Sequence, residues 1–433
     1  MSPASAVDMT ADMVPDVVVV GGGSAGVAAA VGAARAGARV LLVERYGFLG
    51  GAATHAQVLS YCGFFVASSG EAPERSVGGV GWELLQSLAA LGMDIAPVRS
   101  KSGNPIVLID PEALKLALDR LVLAEPGLQL RLHTQLAAAH RSGERLEAVD
   151  LADHQGLRTV RARAFVDASG EADLSAFAGV PMSQGGGDSA RVQPASLPLR
   201  IGGVPPGVTL DRATMAELIQ AHNARARHPI ARADGGVFMR LPGGDEVWSM
   251  AVDLPVDAAS TADLTRAEAQ AREQAWDFMA VLRRHPGFEQ ARLIATGPQL
   301  GIRESRRPRS ARDVTQDDAL YGRPQPDGVA RASWPMEVHE APGRQRFVPI
   351  GGPGWFHVPH GALQAQGLNN LRLAGRVTGA DAQAYGSLRV MGTAFATGHA
   401  AGVSAALWAQ GDSSAQPPVS AVQEELRRQG ALI

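Results

Sequence analysis

The sequence predicts a three-layer α/β fold with a parallel sheet, interrupted by a β-rich α+β insertion. Three observations carry this. A short β-branched run, Val17–Val20, passes through glycines into an alanine-rich stretch and on to a second apolar run at Val40–Val43. The chain closes on the same pattern, with an apolar run at Leu371–Leu373, a glycine turn, and a small-residue stretch from about Gly392 to Trp408. Between Gln193 and Pro349 the pattern changes to separate strand-like segments and one long amphipathic stretch. Short unbroken apolar runs suit strands buried on both faces, and alternation of such runs with helices implies parallel order.

Residues 1–14 read as a flexible arm. The helix after the first strand stops at Gly37, a left-handed cap. Asp110 reads as an N-cap with Pro111 at the first helical position, opening a helix to about Leu123. Leu128–His133, Leu146–Leu151 and Val160–Val166 read as strands. In the central region Leu197–Ile201, Gly236–Leu241 and Val247–Val252 read as strands, and Ala267–Arg284 as an amphipathic helix. The expected organisation is an α/β domain over 15–185 and 355–433, with 186–354 inserted and 61–104 contributing to the insertion. A ligand is expected at the domain boundary.

The chain's 433 residues are ample for two domains, and 45% hydrophobic with 19% charged residues is a globular balance. The net charge is −3, the only lysines are Lys101 and Lys115, and no basic run suggests nucleic acid. The lone Cys62 excludes an intramolecular disulfide and a cysteine-built metal or iron–sulfur site within one chain. Scattered histidines without HExxH give no metal site. The uncharged run Val17–Ala34 has the length of a membrane span, but Gly21, Gly22, Gly23 and Ser24 interrupt it, so a βα turn is expected. With no apolar stretch before Val17, the cytoplasm is the expected compartment.

The segment "DVVVVGGGSAGVAAAVGAARAGARVLLVE" carries the first chemistry. Gly21, Gly23 and Gly26 fit GxGxxG between a strand and a helix. The first glycine permits the turn, the second lets backbone approach a pyrophosphate, and the third lets the helix pack on the strand. The helix start at Ser24 and Ala25 offers free N–H groups to phosphates. Glu44, at the end of the second strand, is placed to accept ribose hydroxyls. A Rossmann-like dinucleotide site follows, with FAD and NAD both open at this point.

Further segments bear on that choice: "GFLGGAATHA" at 47–56, "ARAFVDASGEADLSAFAGVP" at 162–181, "GIRESRRPRSARDVTQDD" at 301–318, and "NLRLAGRVTGADAQAYGSLRVMGTAFATGHAAGVSAAL" at 370–407. Together they resemble FAD-dependent oxidoreductases of the glutathione-reductase superfamily, in the branch of succinate dehydrogenase and fumarate reductase flavoproteins, nearest its bacterial members. The resemblance spans nearly the whole chain and implies FAD, a Rossmann-like FAD domain and an inserted substrate domain. The expected cofactor set therefore adds Arg45, Gly50, Gly51, Ala52, Gly170, Gly375, Arg376, Gly392 and Thr393. The small first turns near Gly392 would aim a positive helix end at the flavin. The succinate-oxidising relatives link flavin to a histidine in "RSHT". His55 sits in "AATHA" instead, so noncovalent flavin is expected.

Candidate catalytic groups are Arg303 and Arg306, in a cluster with Arg307, Arg309 and Arg312, as a carboxylate clamp. His357 and His360, where the chain re-enters the α/β domain, are the candidate acid/base groups. Cys62 is expected to be buried rather than reactive. A second GxGxxG unit and a CxxC are both missing, which argues against a pyridine-nucleotide-disulfide reductase. Gly375–Arg376 stands where aromatic hydroxylases of the superfamily carry a "GD" pair, with the acid displaced to Asp381. The expected reaction is hydride transfer between a small, polar or carboxylated substrate and flavin N5. A flavin monooxygenase and a non-catalytic electron-transfer subunit are the alternatives. Oxygen, a quinone or a redox protein would accept the electrons; no nucleic acid or membrane span is expected, and a homo-oligomer is compatible.

Overall fold

The computed structural model describes residues 14–67, 73–184, 192–242, 245–412 and 415–433; the arm expected at 1–14 lies outside these, apart from Val14. A five-stranded parallel sheet organises the first domain, in the order Leu371–Leu373, Ala164–Asp167, Val17–Val20, Val40–Val43, Leu128–Arg131. The first strand is central, so both its faces are covered. Val17 and Val19 pack against helices, and Val18 and Val20 against a second layer containing Leu146, Val149 and Leu151. That is why the run is valine throughout rather than alternating. The second layer is an antiparallel sheet of Gln135–Ser142, Arg145–Asp153 and Gly156–Arg161.

The helical layer pairs Ser24–Arg35 with Met391–Gln410 at backbone contact. A Cβ on Gly398 would stand 2.1 Å from the Ala25 carbonyl oxygen, and one on Gly402 2.0 Å from that of Ala29. Only small residues permit this approach, which accounts for the alanine and glycine content of both helices. The insertion is a four-stranded antiparallel sheet, Val237–Arg240, Val247–Leu254, Ala195–Gly202 and Arg292–Thr296 in that order, covered by the helix Thr261–Leu282. It has its own core, centred on Leu199, Val252, Phe278 and Phe288. Tyr61, Phe64 and Leu84, and later Val314, Ala330 and Met336, pack instead in the core of the helical layer.

Three elements differ from expectation. The strand expected at Val160–Val166 is two, Gly156–Arg161 and Ala164–Asp167. Arg163 N and Ala164 N both donate to the Asp16 carbonyl, which hands the chain from the antiparallel layer to the parallel sheet. The strand expected to reach His133 ends at Arg131, before His133 with its positive φ of 52°. The helix expected from Ala267 begins at Thr261, its polar first turn capped by Ser260. Among the described residues, no helix is long and apolar enough to cross a membrane.

Candidate functional site

A cleft of about 270 Å³ opens at the carboxyl ends of the parallel strands, the position expected of a ligand in an open α/β sheet. The three glycines of the first loop do different work there. Gly21 holds φ +100°, and a Cβ on it would meet the Ala168 carbonyl oxygen at 2.4 Å. A Cβ on Gly26 would stand 1.7 Å from the Gly21 carbonyl oxygen, so that glycine is required by helix–strand packing. Gly23 has ordinary extended backbone and no atom closer than 3.5 Å to a Cβ position. Protein packing does not demand a glycine at 23, which leaves open space beside it in the cleft.

Glu44 is buried at the cleft wall. Its Oε2 accepts from Gly22 N at 2.6 Å and its Oε1 from Tyr46 N at 3.0 Å. Burial raises its pKa, opposed by those amide hydrogen bonds. Ser24, Ala25, Arg45, Gly51 and Ala52 also line the cleft, as do Gly170, Gly375 and Arg376 opposite. A Cβ on Gly170 would meet the Arg376 guanidinium at 2.4 Å, and Arg376 pairs with Glu171 at 2.6 Å. The expected residues Gly26, Gly50, Gly392 and Thr393 do not line it. Gly50 turns at φ +115° against Thr54, and Gly392 makes room for the Cys62 carbonyl, 2.5 Å from where its Cβ would be. Thr393 is buried, donating to the Ser387 carbonyl. Met391 and Ala394 are the parts of that helix start that line the cleft. Strand end, open glycine, helix start and acid together fit an adenine dinucleotide.

The family model for FAD dependent oxidoreductases matches residues 16–426. The chain belongs to that family. FAD is its cofactor, and the protein is an oxidoreductase. Solved structures resemble it in fold at low identity. AlpK is 15% identical with a TM-score of 0.49, over 92% of this chain and 63% of its own. A geranylgeranyl bacteriochlorophyll reductase-like protein from Thermoplasma acidophilum is 14% identical with a TM-score of 0.49, over 96% and 82%. The p-nitrophenol 4-monooxygenase PnpA from Pseudomonas putida is 12% identical with a TM-score of 0.44, over 95% and 83%. No curated protein matches the chain.

A second cavity of about 530 Å³ lies between the FAD-domain loops and the inserted sheet. Ala52, Arg376, Arg389 and Met391 line both cavities. Arg303 lines the second one. It is 8% exposed and pairs with Asp253 at 3.3 Å, with Ser196 Oγ at 2.6 Å and with the Pro194 carbonyl. Arg306 lines neither cavity; it binds Asp173 at 2.7 Å and the Glu171 carbonyl. Arg307 lies over the Tyr385 ring and Arg312 pairs with Asp327, so the cluster disperses.

Neither expected histidine lines either of these two cavities. His357 accepts from Gln325 N through Nδ1 and packs on Trp355. His360 is buried, with Nε2 2.7 Å from Ser404 Oγ, and burial beside Arg372 lowers its pKa to about 4. A position next to the domain junction in sequence did not place these rings at the junction in space. Asp381 caps the loop at Gln383 N and Ala384 N and lines neither cavity. His55 lines the first cleft, with its pKa lowered by burial to about 3. Cys62 lines the second cavity, and burial pushes its thiol up to about 12.

Sequence reasoning missed Glu337 and His339, which line the second cavity. His339 Nε2 is 3.0 Å from Glu337 Oε1. Burial, then the charge of Arg303, brings His339 down to about 4, so it is neutral near pH 7. Burial opposes ionisation of Glu337, but His339, Arg389 and Trp334 hold its carboxyl well below the usual range. Two residues apart on the strand Met336–Ala341, they share a face. The alternation in "MEVHEA" was the available signal. Arg232 and Arg389 also line the cavity, and no local pattern marks them. Among the described residues, no group of three or more His, Cys, Asp or Glu could hold a metal.

Proposed function

We propose that the protein passes a hydride between an organic substrate in the second cavity and N5 of its flavin, as a dehydrogenase or reductase. The observation that supports this most directly is the shared wall, where Ala52, Arg376, Arg389 and Met391 border both spaces. The two spaces are therefore adjacent, which favours a cofactor in one reaching a molecule in the other. Gly23, Gly51 and the start of the helix Ser24–Arg35 would hold the FAD pyrophosphate, and Glu44 the ribose. Bound FAD supplies a two-electron acceptor or donor.

The remaining tasks fall to this chain's side chains. Arg303, fixed by Asp253 and Ser196, presents a preorganised cation that orients the substrate. His339 gives its Nε2–H to ionised Glu337, which leaves the lone pair on Nδ1; that atom has no partner in the protein. Nδ1 is itself buried, so we assign it to take the substrate proton as hydride leaves, or to return it in the reverse direction, once a rotation of the ring brings it to the cavity. The start of the helix Met391–Gln410 has no side-chain cap. Its positive end favours added negative charge at the shared wall.

The test is anaerobic mixing of the FAD-loaded protein with candidate substrates. Substrate-dependent loss of the oxidised-flavin spectrum, with the oxidised product recovered in equal amount, is expected. Turnover only with a reductant and oxygen, with oxygen incorporated, would replace this reading with a monooxygenase.

A further inference from the structure

The second cavity has an unequal charge account on its substrate side. Arg232 and Arg303 both line it, are 6% and 8% exposed, and share one carboxylate, that of Asp253. Arg232 reaches Asp253 at 2.9 Å and Arg303 at 3.3 Å. The other cations of the wall are balanced individually. Arg376 pairs with Glu171, Arg389 with Glu337 at 3.7 Å, and Lys101 with Asp234. His339 is neutral near pH 7. One positive charge is therefore left over, and it lies on the two arginines that border only the second cavity. The buried Nε of Arg232 has no hydrogen-bond partner. Two buried guanidiniums on one carboxylate repel each other in a medium of low dielectric, and a ligand anion removes that cost.

The remaining lining mixes a few neutral polar groups, Ser60, Ser100, Ser102, Ser196 and Gln345, with a larger apolar part. Ile106, Val237, Met239, Trp248, Trp334 and Phe347 form broad walls. A cavity of about 150 Å³ already holds benzene, so about 530 Å³ admits a body larger than one ring. A second ligand carboxylate would find no second unpaired cation and would face Glu337. On the premise that this cavity is the substrate site, we infer that its ligand is a monocarboxylate with a bulky apolar body, its carboxylate lodged between Arg232 and Arg303. This departs from a small polar substrate in size and polarity, while keeping a single anionic handle.

The FAD-loaded protein is titrated calorimetrically with 1-naphthylacetate, decanoate, the neutral 1-naphthylacetamide and succinate. Naphthylacetate is expected to bind about ten- to a hundred-fold more tightly than its amide, the scale of one charge-assisted clamp, and succinate most weakly. Arg303→Gln leaves Asp253 paired with Arg232 alone, so the acid and the amide should then bind alike. Val237→Asp leaves every buried ion pair intact and adds an opposing charge; it should cause the same loss. Equal affinity of acid and amide in the wild type, tighter binding of succinate, or no binding of either monocarboxylate overturns the inference. Flavin reduction by an uncharged substrate would sustain hydride transfer while removing the monocarboxylate. Acid-selective binding accompanied by oxygen incorporation would do the reverse.

Discussion

Gly51 lies against Gly23 so closely that a Cβ on Gly51 would stand 2.8 Å from the Gly23 Cα. Two loops thus meet backbone to backbone at the cleft wall: a side chain on Gly51 would collide with Gly23, whereas one on Gly23 would meet only Gly51 at 3.5 Å.

Gly23→Val should fold and yet fail to retain FAD, because its backbone is extended and only Gly51 is near. Gly26→Ala should instead damage folding, since its Cβ would overlap the Gly21 carbonyl at 1.7 Å. Flavin-to-protein absorbance and thermal unfolding of the two variants, side by side, check the contrast. Wild-type FAD content in Gly23→Val would show that the loop is structural only.

His339→Gln should slow flavin reduction by roughly 10²-fold or more, the scale of general acid–base catalysis, with FAD content unchanged. In the wild type, the reduction rate should be level across neutral pH and fall as pH approaches about 4, where His339 takes up a proton. Stopped-flow reduction across pH measures both effects. A variant that keeps the wild-type rate would remove His339 from the mechanism.

His360→Asn should affect stability and leave reduction rates alone. Its ring is held by Ser404 and Gln364 away from both cavities. Arg306→Ala should likewise spare substrate binding. Its partly exposed pair with Asp173 contributes about 1 kcal/mol or less.

Acid should destabilise the protein over a defined window. His339, His360 and His399 are each lowered by burial to about 4 from the ordinary 6.5. Between those values the unfolded chain binds protons that the folded chain does not. Stability is therefore full above about pH 6.5 and is lost as pH falls toward 4. Each site contributes on the order of 3 kcal/mol, from about 2.5 pH units at 1.36 kcal/mol per unit. His399, hydrogen-bonded to Gln429, lines neither cavity, so His399→Gln should flatten the loss without altering flavin reduction. Chemical denaturation at successive pH values measures it.

FAD should be held without a covalent bond. His55 lines the cleft, and its motif context differs from that of flavin-linked histidines. Acid precipitation should leave the yellow colour in solution; flavin in the pellet of wild type but not of His55→Ala would reverse this.

Local physics made the cofactor half legible. Four valines with no alternation announce a strand covered on both faces, and Gly21 and Gly26 are required by φ and by packing within one βα turn. Glu44 follows at a distance set by one helix and one strand, so its place in the cleft needed no tertiary information beyond that unit. Gly392 does not line the cleft; a glycine required by packing, here against the Cys62 carbonyl, looks the same in sequence as one required by a ligand. The substrate half was decided only by the tertiary structure. Arg232, Asp253, Arg303, Glu337, His339 and Arg389 meet there from separate strands and loops. An arginine's role depends on which carboxylates reach it, and that is settled by how two sheets and their loops pack. His357 and His360 adjoin the domain junction along the chain, yet a strand and a 3-10 turn carry their rings away from it.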